Sequence, residues 1–268
     1  MSEAQVEIKQ ERLEHDGWRT HYRLAGHGYP VVLLHGAGGD SSLFDGAIAS
    51  LMVSYRLIAP DILGHGKTRG PAGFYAVAGY RRWLKSFIEA LHTGPVDIIG
   101  HSMGGAIALR FTAEHPRLVR RLILVDSIAL GMPSLVTTLL LLAAVFNPDD
   151  RRALDQVARA VLASPQAISS DVRAALESGG IPKGLRGFAW MYARTWRVML
   201  PVSGWTLSRI QAPVMMLWGE NDRYFPAAHA ERRMRRLPDA RLQRIPNAGH
   251  LPFLEQPHAF EAAVRSFL

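Results

Sequence analysis

The sequence predicts one α/β domain with a mostly parallel central sheet, helices on both faces and an inserted helical cap. Three observations lead there. Short apolar runs recur at residues 31–34, 55–59, 96–99, 118–125 and 212–217, and helical periods generally follow them. The runs are apolar on both faces, as strands buried in a parallel sheet must be. The alternation stops near Gly131, gives way to helical periods, and returns after Ile210. The expected organisation is a core of residues 1–130 and 211–268, split by a cap at 131–210.

Taken in order, residues 10–25 alternate around Asp16-Gly17 and predict an antiparallel hairpin at the sheet's edge. The run at 31–34 ends in His35-Gly36-Ala37-Gly38-Gly39, after which Asp40, Ser41 or Ser42 can cap a helix reaching about residue 53. A strand at 55–59 leads into Pro60-Asp61-Ile62-Leu63-Gly64-His65-Gly66, then a helix over 77–92. His65 is given a structural role. His15, His21 and His229 are read as surface residues.

In the cap, helices are expected at 135–146, 151–163, 170–177 and 183–199, with breaks at Pro148, Pro165, Gly179-Gly180 and Pro201. The apolar run 135–146 is too short to span a bilayer and is expected between cap and sheet, as a ceiling over a pocket. After the strand at 212–217 come a loop through Pro226, a helix over 227–236, a strand over 241–245, the loop Pro246-Asn247-Ala248-Gly249-His250 and a terminal helix over 257–268.

Composition narrows the possible functions. The 268 residues are 48% hydrophobic and 20% charged, which suits a domain with a large core. Cysteine is absent, so disulfides, thiolate nucleophiles and cysteine-ligated metals are excluded. The net charge is +8, yet the arginine pairs at 81–82, 120–121, 151–152 and 232–233 are scattered instead of forming one basic run. A nucleic-acid partner is therefore not expected. No histidine or carboxylate cluster has metal-ligand spacing, so neither a metal nor another cofactor is expected. Residues 1–10 lack the apolar core of a signal peptide, and the expected location is cytoplasmic.

The chemistry centres on Val96-Asp97-Ile98-Ile99-Gly100-His101-Ser102-Met103-Gly104-Gly105-Ala106. An apolar run passes through a glycine-flanked serine directly into a helix, so the chain must turn within one or two residues. That forces Ser102 toward positive φ and lifts its hydroxyl into the open. At these residues the chain resembles the α/β-hydrolase family, whose nucleophile elbow reads the same way, and the resemblance covers nearly the whole chain.

The resemblance implies a triad in the order serine, acid, histidine, with Ser102 as nucleophile and His250 as base. Asn247-Ala248-Gly249-His250-Leu251-Pro252 is similar to the family's base loop. Asp222, in Gly219-Glu220-Asn221-Asp222, matches the usual acid turn; Asp126, at the end of the strand over 118–125, is the alternative that some hydrolases use. The matching oxyanion donors are the main-chain N–H groups of Ala37 and Met103, with Gly38 in reserve for Ala37.

A serine nucleophile sets the chain apart from dehalogenases and epoxide hydrolases, which use aspartate. The Ser-Met-Gly-Gly elbow also resembles hydrolases that cleave carbon–carbon bonds in ring-fission diketones, but Leu251 stands where those usually carry tryptophan. Arg186 or Arg194 could supply a positioning cation from the cap. The resulting expectation is a serine hydrolase acting on carboxylic esters of small to medium, largely apolar molecules. Alternatives are a carbon–carbon bond hydrolase, a cofactor-free perhydrolase and a ligand receptor on the same fold. No integral membrane segment is expected, and the oligomeric state is left open.

Overall fold

Strands β1 (Lys9–His15), β2 (Trp18–Ala25), β3 (Tyr29–Leu34), β4 (Tyr55–Pro60), β5 (Val96–His101), β6 (Val119–Val125), β7 (Val214–Gly219) and β8 (Ala240–Ile245) form a single sheet in a computed structural model. The structure describes residues 7–70, 77–146, 150–164, 197–198 and 200–268. The strand order is β1-β2-β4-β3-β5-β6-β7-β8. β2 runs antiparallel to both β1 and β4, and every pairing from β4 to β8 is parallel.

Asp16 and Gly17 both take positive φ, 45° and 79°, which closes the two-residue turn of the first hairpin with a twist that matches its strands. The exposed edge strand β1 carries Lys9, Arg12 and Glu14, charges that discourage pairing with another chain.

The described helices are α1 (Asp45–Leu51), α2 (Val77–Ala90), α3 (Met103–Glu114), α4 (Leu135–Phe146), α5 (Arg151–Val161), α6 (Gly204–Ser208), α7 (Ala227–Met234), α8 (Pro252–Glu255) and α9 (Pro257–Arg265). Alternation along the strands divides the core into two layers. Val32, Leu34, Ile58, Ile98, Leu122, Leu124 and Met216 face Trp83 and Phe87 of α2 and Phe111 of α3. Val31, Leu33, Leu57, Ile99, Ile123, Met215 and Leu217 face Ile48 of α1 and Phe260 of α9. Each such side chain withdrawn from water contributes roughly 1.5–3 kcal/mol. Both faces of the sheet are covered, as strands without a polar face require.

Asp97, the one charged residue in β5, is fully buried. Its Oδ1 accepts from Arg120 Nε on β6 at 2.9 Å, and Oδ2 is paired to the same guanidinium, which also lies 3.7 Å over the Tyr29 ring. A buried carboxylate needs such a partner, and the neighbouring strand supplies it.

Two expectations are corrected. His15 is not a surface residue: only 8% exposed, it lies 2.8 Å from both Ser86 Oγ and Thr20 Oγ1, because α2 crosses the hairpin there. Nor is α4 buried between cap and sheet. Leu135, Val136 and Leu139 are 72%, 67% and 55% exposed, because α4 lies beside α5 and is attached to the loop after β7 by Ser134 N–H to the Tyr224 carbonyl at 2.8 Å. A helix that is apolar all round cannot reveal from its own sequence which side is covered.

The cap helix expected at 170–177, most of that at 183–199, and both Arg186 and Arg194 lie outside the described residues. The short helix α6, capped by Ser203 Oγ accepting from Thr206 N–H at 3.0 Å, was not anticipated. No helix among the described residues is long and apolar enough to cross a membrane.

Candidate active site

The C-terminal ends of β3, β5, β6, β7 and β8 deliver five loops to one edge of the sheet, where ligands bind in open parallel sheets. The loop after β5 is the tightest of them. Ser102 has φ 50° and ψ −115°, a conformation that side chains other than glycine rarely hold, and it sits at the N-terminus of α3. Its N–H donates to the Val125 carbonyl at 2.9 Å, while its own carbonyl accepts from Ala106 and Ile128 N–H groups at 3.2 and 3.4 Å. These bonds on both sides hold the strained residue. A Cβ on Gly104 would lie 2.2 Å from the Leu34 carbonyl oxygen, so glycine there lets the first turn of α3 pack directly on the end of β3.

The loop after β3 adjoins the serine. A Cβ on Gly36 would stand 3.2 Å from Ser102 Cβ and 2.9 Å from His101 Nδ1. Ala37 is exposed at the second position of a turn closed by Gly39 N–H to the Gly36 carbonyl at 3.3 Å; Gly38 follows with φ 77°, and Met103 is buried at the start of α3. His35 beneath them is fully buried. Its Nδ1–H donates to the Gly36 carbonyl at 2.8 Å and its Nε2 accepts the Ile62 N–H at 2.8 Å. Burial lowers its pKa, in keeping with a neutral ring that fastens this loop to the one after β4.

His65, also buried, stacks edge-on against His35 with ring centroids 5.3 Å apart. Its pKa is lowered to about 3, first by burial and then by His35. Packing against a neighbouring ring suits the structural role read for it.

His250 and Asp222 meet. His250 Nδ1 lies 2.8 Å from Asp222 Oδ2, and both residues are buried. The other Asp222 oxygen, Oδ1, accepts the N–H groups of Tyr224 and Phe225 at 2.8 and 2.9 Å, so the carboxylate is fixed by its own loop. Tyr224, Phe225 and His101 place their rings 5.4, 5.6 and 4.9 Å from that of His250. His101 Nε2–H donates to the His250 carbonyl at 2.9 Å, which joins the residue before Ser102 to the histidine loop. Burial holds the His101 pKa well below its ordinary value, keeping that ring neutral.

Asp126 adjoins the same pair. It is fully buried at the end of β6, has φ 43°, and accepts the Gly219 N–H on Oδ1 at 3.0 Å. The structure thus brings Ser102, Asp222, His250 and Asp126 to one edge of the sheet and hydrogen-bonds Asp222, the aspartate before β8, to the histidine. Sequence reading missed Glu255 in α8. Its Oε1 accepts the Gly249 and Leu251 N–H groups on either side of His250, at 2.9 and 3.2 Å. Only its spacing of five residues from His250 could have pointed to it.

A strained serine between strand and helix, a buried histidine–aspartate pair on later loops and this strand order define an α/β hydrolase. The chain belongs to that family: its residues 29–257 match the alpha/beta hydrolase fold. An uncharacterised protein of Mycobacterium tuberculosis (strain ATCC 25618 / H37Rv) is 30% identical, the match covering 94% of this chain and 79% of that protein. The 2-hydroxymuconate semialdehyde hydrolase of Pseudomonas putida is also 30% identical, over 94% of this chain and 91% of its own. Among solved structures, the carboxylesterase CesB of Bacillus subtilis superposes with a TM-score of 0.82 at 21% identity, covering 98% of this chain and 92% of that one.

Proposed function

We propose that the protein is a serine hydrolase of carboxylic esters, taking small to medium, largely apolar molecules through an acyl-enzyme on Ser102. The observation that carries this reading is the hydrogen bond from His250 Nδ1–H to Asp222 Oδ2 beside a serine held at positive φ. That bond turns Nε2, the nitrogen that must accept a proton, away from the carboxylate.

In the proposed cycle Ser102 Oγ attacks the ester carbonyl carbon as His250 Nε2 takes its proton. The carbonyl oxygen becomes an oxyanion facing the N–H groups of Ala37 and Met103. Collapse breaks the carbon–oxygen bond, and the alcohol leaves with the proton from His250. Water then gives a proton to Nε2 and attacks the acyl carbon. The second collapse releases the acid and returns the proton to Ser102. Asp222 stays ionised throughout and stabilises the imidazolium. The apolar α4 packs beside the amphipathic α5, and Val136, Leu140 and Ala160 line a groove between them together with Gln156, Arg159 and Arg223; this supports a substrate with an apolar part and a capping role for residues 131–210.

A second reading, hydrolysis of a carbon–carbon bond next to a ketone, is favoured by the 30% identical relative from Pseudomonas putida. Leu251, buried where that subclass usually has tryptophan, favours the ester. Pre-steady-state assays with p-nitrophenyl acetate and butyrate, alongside a ring-fission diketone, separate the readings. The expected outcome is a burst of nitrophenol, a covalent adduct at Ser102, and loss of at least ~10³-fold in Ser102→Ala. Turnover of the diketone alone would replace the ester reading, and full activity in Ser102→Ala would overturn both.

A further inference from the structure

The catalytic reading leaves one buried group unused. Asp126 is fully buried, and its Oδ1 is engaged by the Gly219 N–H, but Oδ2 has no hydrogen-bond partner among the described residues. One oxygen of Asp126, one of Asp222 and a nitrogen of His250 all lie within 4.8 Å of one another. Among the described residues the other acidic group acting on it is Glu255, whose carboxylate is bound to three main-chain N–H groups: those of Gly249, Leu251 and Ala163. His250 is the one basic group in this cluster, and its Nδ1 is already committed to Asp222.

Two carboxylates this close and this deeply buried are not both charged without a second cation, and no arginine or lysine among the described residues reaches them. Asp222 is the better anion, for it accepts two main-chain N–H bonds and the imidazole. The proton therefore belongs on Asp126. We propose that Asp126 is a neutral carboxylic acid whose Oδ2–H is directed at Asp222, making it a positioning residue that steadies the carboxylate orienting His250. Burial, followed by the charge of Asp222, moves the Asp126 pKa in that direction, well above the ordinary carboxylate range. The inference rests on the triad reading for its consequence in turnover, but the protonation itself does not.

This role explains how two aspartates can share one edge of the sheet. Asp126 does not compete with Asp222 for His250; it supplies a donor, as an asparagine would. Its left-handed backbone, φ 43°, is a conformation aspartate tolerates better than most residues, and it turns the carboxyl across toward the loop after β7.

The test is a comparison of Asp126→Asn and Asp126→Ala with the wild type on one chromogenic ester, together with infrared spectra at pH 7. Asn keeps an acceptor for Gly219 and a donor for Asp222, so kcat/KM should stay within about threefold and the acidic limb of its pH profile should not move. Ala removes both and should lose roughly 10- to 100-fold in kcat. The wild-type minus Asn difference spectrum should show the carbonyl stretch of a protonated carboxylic acid, a readout that survives even where Ala fails to fold. A carboxylate band instead, or an acidic limb displaced downward in Asn, would mean that Asp126 is ionised and would overturn the proposal. Full turnover in Ser102→Ala would sink the triad reading alone, with the infrared band unaffected.

Discussion

The His250 N–H donates to the Val161 carbonyl at 2.7 Å, so the loop that holds the imidazole is tied to the last residue of α5. Glu255 doubles this link. One of its oxygens takes the Gly249 and Leu251 N–H groups, and the other takes the Ala163 N–H at 2.7 Å. Residues 161–163, at the end of α5, are thus joined to the loop of the candidate base by two hydrogen bonds, and the base's position depends on both.

Glu255→Ala should accordingly act on stability and turnover together. Three N–H groups lose their acceptor, a destabilisation of about 1–3 kcal/mol, and the freed loop should lower kcat about tenfold. Glu255→Gln, which retains acceptor oxygen, should lie between Ala and wild type. Thermal unfolding and ester kinetics on the same preparations check both effects. Unchanged kcat in the Ala variant would show that the loop holds His250 without this carboxylate.

Asp222→Asn should leave the fold intact and lower kcat by up to ~10⁴-fold, because an amide at this position favours the wrong tautomer of His250. A near-wild-type rate would remove Asp222 from the orienting role, and transfer of the full loss to Asp126→Asn would move that role to Asp126.

Strands β3 to β7 were legible because each contains a short apolar run, and the hairpin because Asp16-Gly17 is the turn that such a loop needs. Pairing of His250 with Asp222 was expected from the likeness of Gly219-Glu220-Asn221-Asp222 to an acid turn, because motif order by itself allowed Asp126 equally. The nearness of Asp126 to Asp222 was not legible, since it depends on β6 lying beside β7, a pairing across an insertion that local sequence does not encode. His15 was misread for a similar reason: its burial comes from α2, more than sixty residues away. The exposure of α4 escaped because a uniformly apolar helix carries no marker of facing.

Gly219→Ala tests the contact between the acid turn and the base loop. A Cβ there would lie 1.8 Å from the Gly249 carbonyl oxygen, which is backbone and has little room to yield. The two loops should be pushed apart, at a cost of about 1–3 kcal/mol in stability and with a loss of turnover larger than that of any surface alanine. Equal Tm and kcat in variant and wild type, measured by calorimetry and on one ester, would show that the loops part without consequence.

Acid stability should report the buried histidines, and His65 is the cleanest case. Burial in the loop after β4 lowers its pKa to about 3, well under the value near 6.5 of an unfolded chain. Between those two values the unfolded chain binds the proton and the folded chain does not. Stability from this residue is therefore complete above about pH 6.5 and falls as the pH drops toward 3, by about 1 kcal/mol per pH unit. His65→Phe keeps a ring against His35 but cannot titrate. At pH 7 it should be the less stable protein, having lost the bond from Nδ1–H to the Leu63 carbonyl at 3.3 Å. As the pH is lowered the wild type should lose ground to it steadily, and urea unfolding of both proteins at several values between pH 7 and 4.5 measures the difference. A gap that stays constant over that range would mean that His65 takes up its proton in the folded state as readily as in the unfolded one.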